Sequence, residues 1–326
     1  MLLGVLFFGL GWVLRDVLRN EVAEVPLIQQ IRERPFEKYA FEKLSETKID
    51  NGEISIKEEI KKEDTFSSRM FEFEFNPNLD GKTKRVVTGQ INTPDGEASY
   101  PVVVMFRGYI DQNLFRTGDG TRNASRVFAE NGFITLAPDF LGYGGSSEEA
   151  GNIFETRFQT YVTAAALLNS IDQMDKWDGK NVFLWGHSNG GQVALTTLEI
   201  TGKNYPTTLW APVSKPFPYS VLYYTDESED GGKLIRGELA KFEEDYDANL
   251  YSLTNYLDRI NASIQIQQGT ADEAVPKVWS DKLVELLKEK DKEINYIIYP
   301  STDHNMRPNW DSVVEKDLEF FKKYLQ

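Results

Sequence analysis

A ten-residue stretch in the middle of the chain constrains the fold more than any other. Residues 182–191 read VFLWGHSNGG, so an apolar run stops at Gly-x-Ser-x-Gly, and a helix-like segment follows. This order of strand, sharp turn and helix is the pattern of a nucleophile elbow, whose serine has a strained backbone that only small neighbours tolerate. Gly186 and Gly190 meet that need. The stretch predicts that Ser188 is a nucleophile; an ordinary glycine-rich turn is the alternative.

The chain contains few of the side chains, cysteine and histidine, that commonly serve as nucleophile, general base or metal ligand. The 326 residues contain no cysteine and only two histidines, His187 and His304. Thiol catalysis, disulfides and cysteine-bound zinc are therefore excluded, and a histidine-rich metal site cannot be built. The net charge is −15, which argues against nucleic-acid partners because an acidic surface gains nothing from counterion release. We expect no metal and no cofactor.

The first 20 residues form an apolar segment that is shorter than a membrane-spanning helix normally requires. Three interpretations are open: an uncleaved membrane anchor over residues 1–18, an anchor that starts further upstream, or an apolar helix packed on the body or on a partner. Arg15 and Arg19 would place the body in the cytoplasm, whereas a basic stretch upstream would make the catalytic domain extracytoplasmic. Residues 21–52 are predicted to form a linker with short helices.

Residues 53–326 are predicted to form one α/β domain. Alternating residues such as Phe71 and Phe73 indicate antiparallel strands at its start. From residue 101 onward, apolar strands alternate with helices, which indicates a mostly parallel, twisted sheet with helices on both faces. Residues 213–260 interrupt this alternation and are predicted to form a helical cap insertion over the site. No glycine-rich phosphate loop follows a strand near the start, so a nucleotide cofactor is not expected.

Ser188 needs a general base, and the two histidines limit the choice. His187 is its chain neighbour, and we expect adjacent side chains at the elbow to point apart, so His304 is assigned as the base by elimination. The base needs an acid, and Asp272 follows a predicted core strand directly. Asp303 and Glu273 are its rivals. The order Ser, Asp, His is that of α/β-hydrolases.

A tetrahedral intermediate would need two hydrogen-bond donors for its oxyanion. The first predicted donor is the backbone N–H of Asn189, directly after the nucleophile. The second is assigned to the backbone N–H of Tyr109, in the Arg107-Gly108-Tyr109 loop after a predicted strand, because Gly108 permits close approach of the backbone.

From about Tyr100 to Gln326 the chain resembles an α/β-hydrolase, nearest to the prolyl-oligopeptidase-like (S9-type) serine hydrolases, which include dipeptidyl and acylaminoacyl peptidases and their esterase relatives. The matching pieces are residues 139–146 (DFLGYGGS), 186–191 (GHSNGG), 269–276 (GTADEAVP) and His304. The resemblance implies that Ser188 is the nucleophile, Asp272 the acid and His304 the base. Arg107 stands where these relatives usually carry histidine. The peptidases' propeller and amine-binding glutamate pair find no counterpart here.

These observations together predict a serine hydrolase that cleaves a small carboxylic ester, a short peptide or another acyl amide through an acyl-enzyme. The resemblance to the peptidases favours a peptidase, and the lack of a propeller counterpart favours an esterase. Two alternatives are a non-catalytic, membrane-tethered binding module with the hydrolase fold, and an acyltransferase that uses the same acyl-enzyme.

Overall fold

The computed structural model describes residues 33–225 and 228–326. The predicted apolar segment at residues 1–20, and with it the predicted membrane association, lies outside the described residues, as does the first part of the predicted linker. Within the described parts, no helix combines the length and the apolar character that are needed to cross a membrane.

Three antiparallel strands begin the sheet: β1 (Glu53–Lys62), β2 (Phe66–Phe75) and β3 (Arg85–Pro94). In β2, Phe71, Phe73 and Phe75 are buried, as the alternation with period two predicts. The edge strand β1 is mostly exposed and rich in lysine and glutamate, which discourages pairing with another chain.

Six parallel strands continue the sheet, which has nine strands in the order β1-β2-β3-β5-β4-β6-β7-β8-β9. The antiparallel part and the parallel part of the sheet meet at β3 and β5, which pair antiparallel. The predicted α/β-hydrolase fold with a mostly parallel sheet is confirmed. The parallel strands are β4 (Tyr100–Phe106), β5 (Ile134–Pro138), β6 (Trp177–His187), β7 (Thr207–Trp210), β8 (Ile264–Gly269) and β9 (Ile294–Tyr299).

Eight α-helices lie in the described residues, and the longer ones cover both faces of the sheet. Alternate residues of β4 show this: Val102 and Val104 belong to one buried cluster, and Val103 and Met105 to the other. The helices are α1 (Phe41–Glu46), α2 (Arg122–Glu130), α3 (Ile153–Asn169), α4 (Asn189–Thr201), α5 (Tyr219–Leu222), α6 (Lys233–Asp245), α7 (Lys277–Glu289) and α8 (Trp310–Lys323).

The insertion at residues 213–260 is helical, as its break in the strand pattern predicts. It contains α5, α6 and three short 3-10 turns between residues 248 and 259. Its aromatic residues pack mainly on α3: the ring centroid of Phe217 lies 5.6 Å from that of Phe154, and the centroid of Phe242 lies 6.0 Å from that of Phe158. The insertion is therefore anchored by aromatic packing on the body of the domain.

The short helices that we expected before residue 53 are present, but they are packed elements of the domain. Tyr39, Phe41 and Leu44 are all buried, and the ring centroid of Phe41 lies 5.8 Å from that of Tyr161 on α3, edge to face. This stretch therefore contributes apolar core, which the mixed charged and apolar sequence did not reveal.

Candidate active site

The turn between β6 and α4 has the strained geometry that the glycine pattern predicts. Ser188 has φ +56° and ψ −118°, a conformation that residues other than glycine rarely adopt. Three backbone hydrogen bonds hold it: Ser188 N–H donates to Trp210 O (2.9 Å), and Ser188 O accepts from Gly191 N–H (3.0 Å) and Val213 N–H (2.9 Å). The loop after β7 therefore supports the elbow.

The two glycines that flank Ser188 are required by close backbone contacts. A Cβ atom on Gly190 would lie 1.8 Å from the carbonyl oxygen of Phe106, at the end of β4. A Cβ atom on Gly186 would lie 2.6 Å from the carbonyl oxygen of Gly190. The Gly-x-Ser-x-Gly spacing is thus explained by steric fit at a sharp turn.

The structure brings Asp272 and His304 together from the loops that follow β8 and β9. His304 Nδ1 lies 2.9 Å from Asp272 Oδ2. The Asp272 side chain is fully buried, whereas the His304 side chain keeps 20% of its surface exposed. A carboxylate partner fixes the proton on Nδ1 and leaves Nε2 of the neutral ring free to accept a proton, which is what a general base requires.

Several N–H donors also hold Asp272 in place. Its Oδ1 accepts the backbone N–H groups of Ala274 (2.9 Å) and Val275 (2.8 Å), and Gln268 Nε2 lies 3.2 Å from Oδ2. Burial by itself raises the pKa of Asp272, but the hydrogen bonds from His304 and Val275 outweigh it and lower the pKa below the ordinary value. Asp272 is therefore an ionised partner for the imidazole.

Neither rival carboxylate takes the place of Asp272 in this arrangement. Asp303 Oδ1 accepts the backbone N–H of Arg307 at 2.8 Å, so this carboxylate closes its own turn. Glu273 is exposed at the surface. Asp272, in the loop after β8, is the carboxylate that the geometry selects.

His187 lies against His304, which sequence reasoning missed. Their ring centroids are 4.7 Å apart, and His187 Nε2 lies 2.9 Å from the carbonyl oxygen of His304. A carbonyl only accepts, so Nε2 carries the proton and donates it. Burial, with a further effect of His304, lowers the pKa of His187 to about 4. A neutral His187 thus holds the His304 loop in place. The sequence offered one signal for this role: His187 is the only other histidine of the chain and is adjacent to Ser188.

His187, which precedes Ser188 in the chain, contacts His304. The side chains of Ser188 and His304 themselves are not hydrogen bonded. Within residues 33–225 and 228–326, no hydrogen bond joins the Ser188 hydroxyl to the His304 ring. Catalytic hydrogen bonds are often long in structures without substrate and shorten when it binds. The structure therefore contains the Asp272–His304 pair and the strained serine as adjacent parts.

The loop after β4 passes close to the nucleophile. A Cβ atom on Gly108 would lie 3.1 Å from Ser188 Cβ, so this loop borders the space in front of the serine. The Tyr109 ring is 76% exposed, so its side chain is not packed into the protein. Asn189 is the first residue of α4, and its N–H has no acceptor inside the helix. Both predicted oxyanion donors thus border the same region.

Arg107 anchors this loop, a role that its place in the sequence did not indicate. The buried guanidinium donates from Nη1 to Gly108 O and from Nη2 to Asp139 O, each at 2.9 Å. It also stacks between two aromatic rings, 4.4 Å from the Phe115 centroid and 3.9 Å from the Tyr143 centroid. Arg107 therefore fixes the backbone that carries the Tyr109 N–H.

A cavity of about 170 Å³ opens beside the two predicted oxyanion donors. It lies between the loops after β4 and β5 and the helices α3 and α4, and His304 is not among its lining residues. The cavity is lined by Arg107, Tyr109, Phe140, Leu141, Tyr143, Glu149, Ile153, Thr156, Arg157, Thr160, Tyr161, Asn189 and Val193.

The described residues contain no cluster of three or more His, Asp or Glu side chains that could hold a metal ion.

Solved structures share this fold at low sequence identity. The acetyl xylan esterase 1 of Thermoanaerobacterium sp. JW/SL YS485 superposes with a TM-score of 0.65 at 16% identity, over 90% of this chain and 94% of the esterase. The acetyl xylan esterase of Paenibacillus sp. R4 gives 0.64 at 18% identity, over 87% and 92%. A putative dipeptidyl aminopeptidase IV of Bacteroides ovatus gives 0.53 at 16% identity, over 90% of this chain but 37% of the larger protein.

Sequence comparisons give the family. An uncharacterized 31.7 kDa protein from the traX-finO intergenic region of Escherichia coli is 26% identical over 117 residues, which cover 34% of this chain and 37% of that protein. The match thus spans little more than a third of that relative. The sequence profile of the prolyl oligopeptidase family (Peptidase_S9) matches residues 120–326, well over half of the chain. The protein with this elbow and this Asp272–His304 pair therefore belongs to the prolyl oligopeptidase family of α/β-hydrolases.

Proposed function

We propose that this protein is a serine hydrolase that cleaves small carboxylic esters through an acyl-enzyme. The observation that carries the proposal is the hydrogen-bonded Asp272–His304 pair beside a serine with strained, positive φ. Family membership supports hydrolysis, and the two solved esterases that superpose over nearly their whole length support an ester substrate.

Each residue has a defined part in the proposed reaction. Ser188 Oγ attacks the substrate carbonyl while its proton passes to His304 Nε2, and Asp272 stabilises the imidazolium that forms. His304 then gives this proton to the leaving alkoxide, and the C–O bond breaks to leave an acyl-serine. Water attacks the acyl-serine, with His304 again as the base, and Ser188 is released with the carboxylic acid.

The backbone N–H groups of Asn189 and Tyr109 are proposed to stabilise the oxyanion of each tetrahedral intermediate. Loss of one such donor typically costs about 100- to 1000-fold in rate. Gly108 supports the second assignment because any larger residue there would press on Ser188 Cβ. The Arg107 guanidinium supports it as well, since it holds Gly108 O in place.

A fluorophosphonate probe tests the nucleophile. We expect stoichiometric labelling of the wild type and none of Ser188→Ala. Ser45→Ala is the matched control, because the Ser45 hydroxyl donates to the Glu42 carbonyl on α1, at the protein surface. Equal labelling of wild type and Ser188→Ala would refute the assignment of Ser188.

Substrate class is tested by comparing acetate esters with amino-acid anilides. We expect turnover of p-nitrophenyl acetate to exceed that of anilides. Faster cleavage of anilides would instead favour the peptidase interpretation, to which the family name points. Transfer of acetyl to an added alcohol in preference to water would identify an acyltransferase, and turnover by neither class would favour the binding module.

We further propose that residues 1–18 associate with a membrane. This rests on the unbroken apolar sequence MLLGVLFFGLGWVL at the start of the chain. The full chain should sediment with liposomes, whereas a chain that starts at residue 33 should stay in the supernatant. Equal sedimentation of both chains would refute membrane association through residues 1–18.

A further inference from the structure

Arg157 is the second arginine that lines the cavity beside the predicted oxyanion donors, and one edge of its guanidinium makes no hydrogen bond. It lies on α3 and lines the cavity together with Asn189 and Tyr109. Its Nε and Nη2 atoms are buried and have no hydrogen-bond partner within the parts of the chain that the structure describes. The guanidinium as a whole interacts with the Tyr161 hydroxyl, and its Cζ lies 5.8 Å from the centroid of the Phe217 ring.

The acidic groups near Arg157 do not neutralise it. Glu155, on the same helix, lies within hydrogen-bond distance of the Tyr39 hydroxyl at 3.4 Å. Glu149 lines the cavity but is exposed, and no ion pair joins it to Arg157 in the described residues. An arginine stays protonated in proteins, so it cannot shed its charge as a buried lysine can. A buried, unpaired guanidinium edge is costly unless an acceptor completes it.

The two unpaired nitrogens form one edge of the guanidinium. Nε and Nη2 point their N–H bonds in parallel, which is the geometry that binds both oxygens of a carboxylate. Arg107, the other arginine of the cavity, donates both Nη groups to backbone carbonyls and keeps only its Nε without an acceptor. Arg157 is thus the guanidinium that can offer a complete edge to a ligand.

The position of the cavity indicates which part of a substrate enters it. The predicted oxyanion donors Asn189 and Tyr109 line it, whereas Ser188 and His304 do not. A group in the cavity would thus lie next to the carbonyl oxygen and away from His304, which would protonate the leaving group. The group inside it therefore belongs to the acyl side of the scissile bond. About 170 Å³ accommodates only a short chain, given that one water occupies about 30 Å³ in the liquid.

From these observations, and resting on the proposed serine hydrolase function, we infer that the cavity binds a short acyl group that ends in a carboxylate, held by the Nε–Nη2 edge of Arg157. The preferred substrates are then half-esters of small dicarboxylic acids. Apolar walls such as Phe140, Leu141 and Val193 would contact the methylene groups between the two carboxyl ends.

Paired substrates test this inference. Monomethyl succinate and methyl valerate differ mainly in the terminal carboxylate, and hydrolysis of both can be followed by pH-stat titration. We expect the wild type to favour monomethyl succinate by at least about 10-fold in kcat/KM, and Arg157→Met to lower that ratio by about 30-fold. Arg126→Met is the matched control, because Arg126 is a surface residue on α2 paired with Glu130 at 3.1 Å. It should leave the ratio unchanged.

Binding of succinate, measured by calorimetry with succinamide as the control that has the same carbon chain and no carboxylate, separates this inference from the proposed function. Arg157-dependent succinate binding without any ester hydrolysis would support the subsite and refute the hydrolase. Ester hydrolysis with an unchanged ratio in Arg157→Met, or with a wild-type preference for methyl valerate, would refute the subsite and leave the hydrolase standing. Absence of both turnover and succinate binding would refute both. The unfolding midpoint of Arg157→Met should equal or exceed that of the wild type; a marked decrease would indicate a structural role instead.

Discussion

Asp272 and Asp317 both have fully buried side chains, yet their surroundings drive their pKa values in opposite directions. Asp272 lies at the carboxyl ends of the strands and contacts His304, and its pKa is lowered. Asp317 lies on α8 behind the sheet, where burial raises its pKa to about 7 although the Trp210 indole (2.8 Å) and Gln267 amide (2.7 Å) donate to it. Burial alone therefore does not set the direction of a carboxyl group's pKa; Asp272 differs from Asp317 in having an imidazole and backbone N–H groups as partners.

The largest expected contrast is in activity. Asp272→Asn removes the charge that is proposed to stabilise the His304 imidazolium, and we expect kcat to fall by about 1,000- to 10,000-fold. Asp317→Asn should change kcat by less than about 3-fold, since Asp317 contacts no proposed reacting group. Both variants should be compared with wild type on p-nitrophenyl acetate. Similar losses in the two variants would contradict the distinction between the carboxylates.

The second contrast is in the dependence of stability on pH. Asp317 in the folded protein binds its proton up to about pH 7, whereas in the unfolded chain it releases the proton near pH 4. The free energy of unfolding should therefore fall by roughly 3 to 4 kcal/mol as pH rises from 4 to 7. Asp317→Asn should remove this decrease, measured by urea unfolding at several pH values. A parallel profile in wild type and variant would show that Asp317 titrates normally.

Asp272 should act on stability with the opposite sign. Its pKa is lower in the folded than in the unfolded protein, so its stabilisation is present above about pH 4 and is lost as pH falls through the folded value. Comparing wild type with Asp272→Asn in the same unfolding series should show a loss of stability of the wild type on acidification that the variant lacks. A wild type that gains stability relative to the variant at acid pH would reverse the assignment.

A smaller effect is expected at His187, which joins the two halves of the site. Its pKa of about 4 lies below the ordinary value near 6.5, so the unfolded chain takes up a proton first as pH falls. The wild type should lose roughly 1 to 3 kcal/mol of stability between pH 6.5 and 4. His187→Gln keeps a side-chain donor for the His304 carbonyl but cannot titrate, so the unfolding series should lack this component. The same loss in both proteins would contradict a neutral His187 in the folded protein.

Sequence reasoning reached the fold and the candidate residues because both have local signatures. The strands after residue 100 are continuously apolar, and the elbow glycines follow from sharp turning within a few residues. With two histidines in the chain, elimination left His304 as the candidate base, and its position after a strand predicted that it lies at the same end of the sheet as Asp272, which it contacts. These features depend on composition and on short-range pattern.

What the sequence did not reveal depends on contacts between distant segments. The packing of Phe41 on Tyr161, the hydrogen bond from His187 to the His304 backbone and the anchoring of the Gly108 loop by Arg107 each join separate parts of the fold. No local pattern records which side chains meet across the sheet, so Arg157 could not be distinguished from a surface arginine of a helix. Only the three-dimensional arrangement shows its unpaired edge.

The most direct test of the central claim is to trap the acyl-enzyme. The protein is mixed with p-nitrophenyl acetate, quenched in acid within the first turnover, digested and mapped by mass spectrometry. We predict one acetyl group per chain, located on Ser188, with greatly reduced acetylation in His304→Gln. Ester turnover by the wild type with no acetyl group on Ser188 in the quenched samples would contradict an acyl-enzyme on Ser188.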